Sequence, residues 1–312
     1  MIKTTNRRWA ARVRLMLTAV FAGIAVWLFQ HYQRQVAQLA VRSLDALGAL
    51  VLANALSILL IAAIQMEVLS RVFWLRLPLR EGVELTVASE CQNMLLPLKG
   101  GAVFRSVYLR NVHGLAVGAF LLACAVHFLT GFLAIGLVGL VVSLSHLSSM
   151  LGGAYIAGYA GAAALAVFGL CIPGVVGRFL GCRVNYYEVL SVSSRVLKPG
   201  NLSALSLWNA ALVVTYCVRI YCSFRTLGLR VQPGECLVAG TTILLLGTLN
   251  ITPANLGVRE GVLSAMMSFY GYSPAEGLVV SLLDRCVQVC ILFPAAFYAH
   301  FRIASRVRAN RP

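Results

Sequence analysis

The sequence predicts an all-α, polytopic integral membrane protein with a single transmembrane domain over residues 1–312. Of these residues, 60% are hydrophobic and only 12% are charged, and the mean hydropathy is +0.84. The apolar residues form long blocks, as expected of helices that cross a hydrocarbon core of ~30 Å. Two of the apolar blocks are broken near their middle, which marks them as candidate functional segments.

Six apolar blocks are predicted to be full spans. They cover residues 15–29, 44–66, 115–142, 152–172, 202–224 and 277–300. The first is short and is extended by an amphipathic stretch that reaches residue 40. Because no small-x-small cleavage site follows its basic start, we expect an uncleaved span rather than a signal peptide.

Two further apolar segments, 84–111 and 235–272, are interrupted by proline and glycine. Each half has roughly 12 to 18 residues, which is too short for a helix to cross the hydrocarbon core. An open backbone in hydrocarbon is tolerated only where protein or water covers it. We therefore predict two re-entrant helical hairpins.

The two broken segments share a spacing and a neighbourhood. Each contains Pro-x-x-x-Gly, with an asparagine before it and an arginine after it, and each lies between two full spans. The regions 44–142 and 202–300 are accordingly predicted to form an inverted repeat. In such repeats substrates usually bind near the membrane midplane.

The distribution of basic residues predicts how the chain is oriented across the membrane. Lysine and arginine are concentrated before the first span, in segment 179–198 and after the last span. Six spans with two hairpins place all three groups in the cytoplasm, together with both termini. The alternative of eight complete spans keeps the termini inside but puts segment 179–198 outside, so six plus two is favoured.

The break motifs supply the candidate binding residues. Proline cannot continue a half-helix, and glycine allows the backbone to turn into the next one. The new half-helix offers unpaired N–H groups to an anion, and a nearby arginine fork is suited to phosphate. The residues so identified are Asn93, Pro97, Lys99, Gly101 and Arg105 in the first motif and Pro253, Gly257 and Arg259 in the second.

Charged residues at membrane depth extend this site. Glu260 follows Arg259, and Asp284 precedes Arg285 inside the last span. Ionisable residues in a membrane interior are costly and therefore mark candidate functional sites. We predict that these four form one mixed-charge cluster, which either belongs to the binding site or only pins the second hairpin to the last helix. Arg219 is a weaker candidate, since it lies close enough to its helix end to snorkel.

Other chemistries lack support in the sequence. The basic residues are not interleaved with aromatic ones, which argues against nucleic-acid binding despite a formal charge of +16. The five histidines lack metal-ligand spacing, the nine cysteines lie mostly in apolar runs, and no nucleotide-binding or nucleophile motif occurs. We expect no enzyme activity, no catalytic residue, no metal and no cofactor.

The motifs resemble those of the lysylphosphatidylglycerol synthase transmembrane, or flippase-like, family. The resemblance rests on the pattern from Asn93 to Leu109, on Thr252-Pro253-x-x-x-Gly257-Val258-Arg259-Glu260, and on Leu282-Leu283-Asp284-Arg285. It departs from the family pattern at Ala102, where an acid often follows the glycine, and at Ala254-Asn255. In two-domain members a synthase domain follows the membrane part. This chain looks like a stand-alone membrane module.

The combined expectation is a lipid translocator of the bacterial cytoplasmic membrane. The resemblance and the paired arginines imply movement of an anionic or polyprenyl-linked lipid headgroup, with an anionic phospholipid or a lipid-linked molecule as substrate. Two alternatives remain: a membrane-embedded transferase component, and an accessory subunit of lipid or glycolipid biosynthesis. A second copy of the chain or a lipid-biosynthesis enzyme would be the protein partner.

Overall fold

A computed structural model describes residues 41–96, 100–144, 152–171, 186–247 and 255–309. All regular secondary structure in these ranges is helical, which confirms the all-α prediction. The helices are α1 (Leu44–Phe73), α2 (Leu79–Leu95), α3 (Gly100–His113), α4 (Val117–Leu144), α5 (Gly152–Cys171), α6 (Tyr186–Val196), α7 (Pro199–Thr226), α8 (Pro233–Gly247), α9 (Val258–Phe269) and α10 (Pro274–Ala309). The predicted first span, 15–29, lies outside the described residues.

Four of the described helices, α1, α4, α7 and α10, are long and apolar enough to cross a membrane. They correspond to four of the predicted spans. The helix α5 occupies the place of another predicted span but is shorter, with 20 residues. A multi-pass membrane protein follows from these lengths, while the total of six spans stays a prediction.

Each broken segment forms two short helices, as predicted. The first segment gives α2 and α3, with 17 and 14 residues, and the second gives α8 and α9, with 15 and 12 residues. At 1.5 Å per residue the longest of these is about 25 Å, so none crosses a ~30 Å core alone. The two helices of each pair pack against each other.

The long helices bring the two halves of the chain together. The helix α1 packs along α7, and α4 packs on both α5 and α7. The helix α2 packs on α10, while α8 packs on α4. Each short helix pair therefore rests on a long helix from the other half, and residues from both halves meet in the interior.

Seven cysteines in the described ranges are free thiols. Four of them are buried, namely Cys91, Cys217, Cys222 and Cys236, while Cys286 and Cys290 are exposed. The four buried cysteines pack as small apolar residues.

Candidate functional site

The first break holds α2 and α3 in close contact. The helix α2 ends at Leu95, and Leu96 is extended, with φ −111° and ψ 136°. The backbone N–H of Gly101 donates to Asn93 Oδ1 at 2.9 Å. A Cβ added to Gly101 would lie 1.8 Å from the backbone oxygen of Ser89. Only glycine fits here, because any larger residue would push the two helices apart.

Arg105 is a buried cation with weak compensation. Its side chain is 10% exposed, its Nη2 donates to Ser89 Oγ, and its nearest carboxylate oxygen is Glu90 Oε1 at 4.0 Å. Glu90 also accepts from Asn93 Nδ2 at 3.3 Å. Arg105 Nε has no hydrogen-bond partner among the described residues. The helix pair α2/α3 therefore carries a guanidinium with unused donor capacity.

The second break leads into α9 through glycine. Gly257 has φ 83°, a conformation that residues with a Cβ rarely adopt. Its backbone N–H donates to the Glu260 carboxylate at 2.8 Å, which caps the helix. Asn255 Nδ2 donates to the carbonyl of Gly247 at 2.8 Å and so ties α9 to the end of α8.

Asp284 is the centre of a buried polar cluster. Its side chain is 0% exposed, and it accepts from Arg219 Nε at 3.1 Å and from Arg219 Nη2 at 2.7 Å. Arg259 Nη2 donates to the same carboxylate, and Asn54 Nδ2 donates to its Oδ1 at 3.1 Å. Four helices, α1, α7, α9 and α10, thus converge on one carboxylate.

A second buried carboxylate, Glu260, lies beside this centre. Arg285 Nη2 lies 2.7 Å from Glu260 Oε1, and Ser281 Oγ donates to that oxygen at 3.4 Å. The Tyr216 ring lies 5.0 Å from the guanidinium carbon of Arg219 and 5.4 Å from that of Arg259. Such distances permit cation–π attraction to both arginines.

The charge cluster, defined as Arg219, Arg259, Glu260, Asp284 and Arg285, carries one positive charge in excess. Its three guanidiniums face two carboxylates in the described part of the chain. The buried Nε atoms of Arg259 and Arg285 have no hydrogen-bond partner there. Asp284 lies ten residues after Pro274, the first residue of α10, or about 15 Å along its axis. The excess charge therefore sits deep within a spanning helix.

The structure places the predicted residues in two groups. The predicted mixed-charge cluster of Arg259, Glu260, Asp284 and Arg285 is confirmed as a set of close ion pairs. The polar partners of Arg105 lie on α2, so it belongs to a separate group with Asn93 and Gly101. Pro97, Lys99 and Pro253 lie outside the described residues. The binding role of both groups stays a prediction.

The expectation that Arg219 snorkels was wrong. Its side chain is only 5% exposed and donates two hydrogen bonds to Asp284. The reason is that the face of α7 that carries Arg219 packs against the other helices of the charge cluster. Sequence reasoning also missed Asn54 and Tyr216. Asn54 could have been identified from the sequence, because it is a polar residue inside an apolar block.

Comparison with known proteins identifies a family that shares the membrane region of this chain. A family model described as the lysylphosphatidylglycerol synthase TM region matches residues 13–296. The match includes both helix breaks and the whole charge cluster. No curated protein matches the sequence.

Proposed function

Because the chain belongs to the lysylphosphatidylglycerol synthase TM family, we propose that it translocates an anionic or polyprenyl-linked lipid headgroup across the membrane. Membership indicates a function related to membrane lipids. The observation that carries the more specific proposal is the buried charge cluster, with its three arginines and two carboxylates.

The excess charge favours an anionic ligand. A buried ion whose charge is not fully balanced carries a desolvation penalty of several kcal/mol. A phosphate or another anionic group that reaches the cluster would balance it and accept from the free Nε atoms of Arg259 and Arg285. Arginine is also well suited to phosphate, because its planar fork can donate two parallel hydrogen bonds.

The position of Asp284 favours reversible binding of the lipid, as transport requires, over permanent binding. In the structure this carboxylate already forms ion pairs with Arg219 and Arg259. An arriving phosphate can accept from the free Nε of Arg259 at once, but it must compete with Asp284 for the Nη2 atom. When the lipid leaves, Asp284 again accepts from that atom. Such exchange keeps binding strong enough for capture and weak enough for release, a balance that transport through a membrane requires.

The helix contacts support the proposed inverted repeat. If α1 to α4 correspond to α7 to α10, the contact of α2 with α10 has its counterpart in that of α8 with α4. Likewise, the contact of α4 with α7 matches that of α10 with α1. A two-fold relation of this kind places the two breaks on either side of a shared centre. We take the pairs α2/α3 and α8/α9 as re-entrant hairpins, alongside six full spans.

The basic ends of the helices support a cytoplasmic location for both termini. The last helix ends in Arg302, Arg306 and Arg308, and the N-terminal segment is also rich in arginine. Such concentrations are typical of cytoplasmic ends of membrane helices. The proposed location is the bacterial cytoplasmic membrane.

Lipid translocation in reconstituted vesicles tests the proposal. We expect vesicles with the protein to move fluorescent phosphatidylglycerol faster than fluorescent phosphatidylcholine. Arg259→Gln should lower the phosphatidylglycerol rate roughly tenfold or more, as the loss of a hydrogen bond to a charged group implies.

Arg225→Gln is the matched control, because Arg225 is an exposed arginine in the last turn of α7. It should leave the rate unchanged. Equal rates for the two lipids, or equal rates for wild type and Arg259→Gln at equal insertion, would remove the charge cluster from the proposed function.

A further inference from the structure

A second candidate lipid site lies outside the charge cluster, in a groove between α2 and α10. The groove has a volume of about 380 Å³ and is open to the surface of the protein. Its walls are mainly apolar, with Leu79, Val83 and Val87 on α2 and Ala295 and Ala299 on α10. Arg80, Glu84 and Tyr298 complete the lining.

The polar end of the groove carries positive charge. Three arginines converge on the carboxylate of Glu84: Arg80 at 3.0 Å, Arg306 at 2.7 Å and Arg302 at 3.8 Å. The neighbouring acid, Glu81, already accepts from Tyr108 and has His113 Nε2 at 2.6 Å. The arginines therefore outnumber the carboxylates at this end.

Two of these arginines are accessible to a ligand. The side chain of Arg80 is 59% exposed and that of Arg302 is 44% exposed. Arg80 Nη2 donates to the Tyr298 hydroxyl at 2.6 Å, across the mouth of the groove. A headgroup at this mouth would contact guanidinium and phenol donors together.

The surroundings place this end at the membrane surface. Phe297, Tyr298 and Phe301 are exposed side chains on the same part of α10, directly before the arginines that end the helix. Tyrosine is enriched at the interface between hydrocarbon and lipid headgroups, and arginines are common just beyond it, so Tyr298 and the arginines that follow it indicate that this end lies at that interface. The groove thus runs from that interface into the apolar region.

We propose that this groove binds one anionic phospholipid, with an acyl chain along the apolar walls and its phosphate at Arg80 and Arg302. Charge complementarity favours an anionic lipid at the arginines, because a zwitterionic lipid offers a cationic group as well as a phosphate. The bound lipid joins the first hairpin to the last helix. This site is independent of the translocated lipid, which would bind at the charge cluster.

Native mass spectrometry tests this site with the full chain in phosphatidylcholine nanodiscs that contain a minor fraction of phosphatidylglycerol. We expect the released protein to retain phosphatidylglycerol in preference to phosphatidylcholine. Arg80→Gln and Arg302→Gln should each weaken this retention about fivefold, which corresponds to roughly 1 kcal/mol per arginine near a lipid surface.

Three further variants separate the explanations. Arg110→Gln removes an exposed arginine of the same hairpin outside the groove and should leave retention unchanged. Ala295→Trp fills the groove without changing charge and should lower retention of both lipids. Arg259→Gln should keep the groove lipid. Equal retention of the two lipids by wild type, or losses in Arg110→Gln as large as in Arg80→Gln, would overturn the proposal.

Discussion

Replacement of Asp284 by asparagine is expected to lower the free energy of unfolding by about 3–5 kcal/mol. The substitution keeps the size of the side chain but removes its charge. Arg219 and Arg259, both under a tenth exposed, would then lose their shared counter-ion. The cost comes from burying two uncompensated guanidiniums rather than from one lost hydrogen bond.

Thermal unfolding of the purified protein in detergent measures this effect. Asp45→Asn is the control, because Asp45 is an exposed acid in the first turn of α1. The double variant Asp284→Asn with Arg219→Gln should regain part of the lost stability, since it removes one of the unpaired charges. If Asp284→Asn unfolds at the same temperature as Asp45→Asn, the carboxylate is not the centre of the cluster.

Replacement of Arg105 by glutamine is expected to reduce translocation roughly tenfold to hundredfold. The amide of glutamine can still donate a hydrogen bond towards α2. Arg105 has only a distant carboxylate, Glu90 at 4.0 Å, so its removal relieves a poorly compensated charge. Stability should therefore change by less than about 1 kcal/mol, in contrast to Asp284→Asn.

Arg110→Gln provides the matched control in the same helix, because Arg110 is exposed. Translocation and thermal unfolding are measured on the same preparations of both variants. A variant Arg105→Gln that translocates at the wild-type rate would restrict the proposed binding role to the charge cluster. A variant that unfolds far below wild type would assign Arg105 a structural role.

The helix breaks could be predicted because their causes are local. Proline ends helices and glycine tolerates a positive φ, so the motif around Gly257 identified the start of α9 within the sequence itself. The same holds for Gly101, whose contact with Ser89 depends on residues only twelve positions apart. Short-range chemistry of this kind is visible without a structure.

The composition of the charge cluster could be predicted only in part. Arg259 and Glu260 are adjacent in the chain, as are Asp284 and Arg285. Opposite charges at membrane depth form ion pairs, because an unpaired charge there is costly. Arg219 and Asn54 come from other helices, and their contribution depends on the rotation of α7 and α1 about their axes. Apolar blocks that are hydrophobic all round carry no periodic signal for that rotation.

Translocation as proposed requires that an anionic lipid headgroup reaches Arg259 in the charge cluster. Tyr216 lies next to both Arg219 and Arg259, so a photoreactive benzoylphenylalanine at position 216 reports what arrives there. In vesicles of phosphatidylcholine with some phosphatidylglycerol, we expect adducts enriched in phosphatidylglycerol, and a loss of that enrichment in Arg259→Gln. If the adducts match the lipid composition of the vesicles, or if no lipid adduct forms, anionic headgroups do not bind at Arg259.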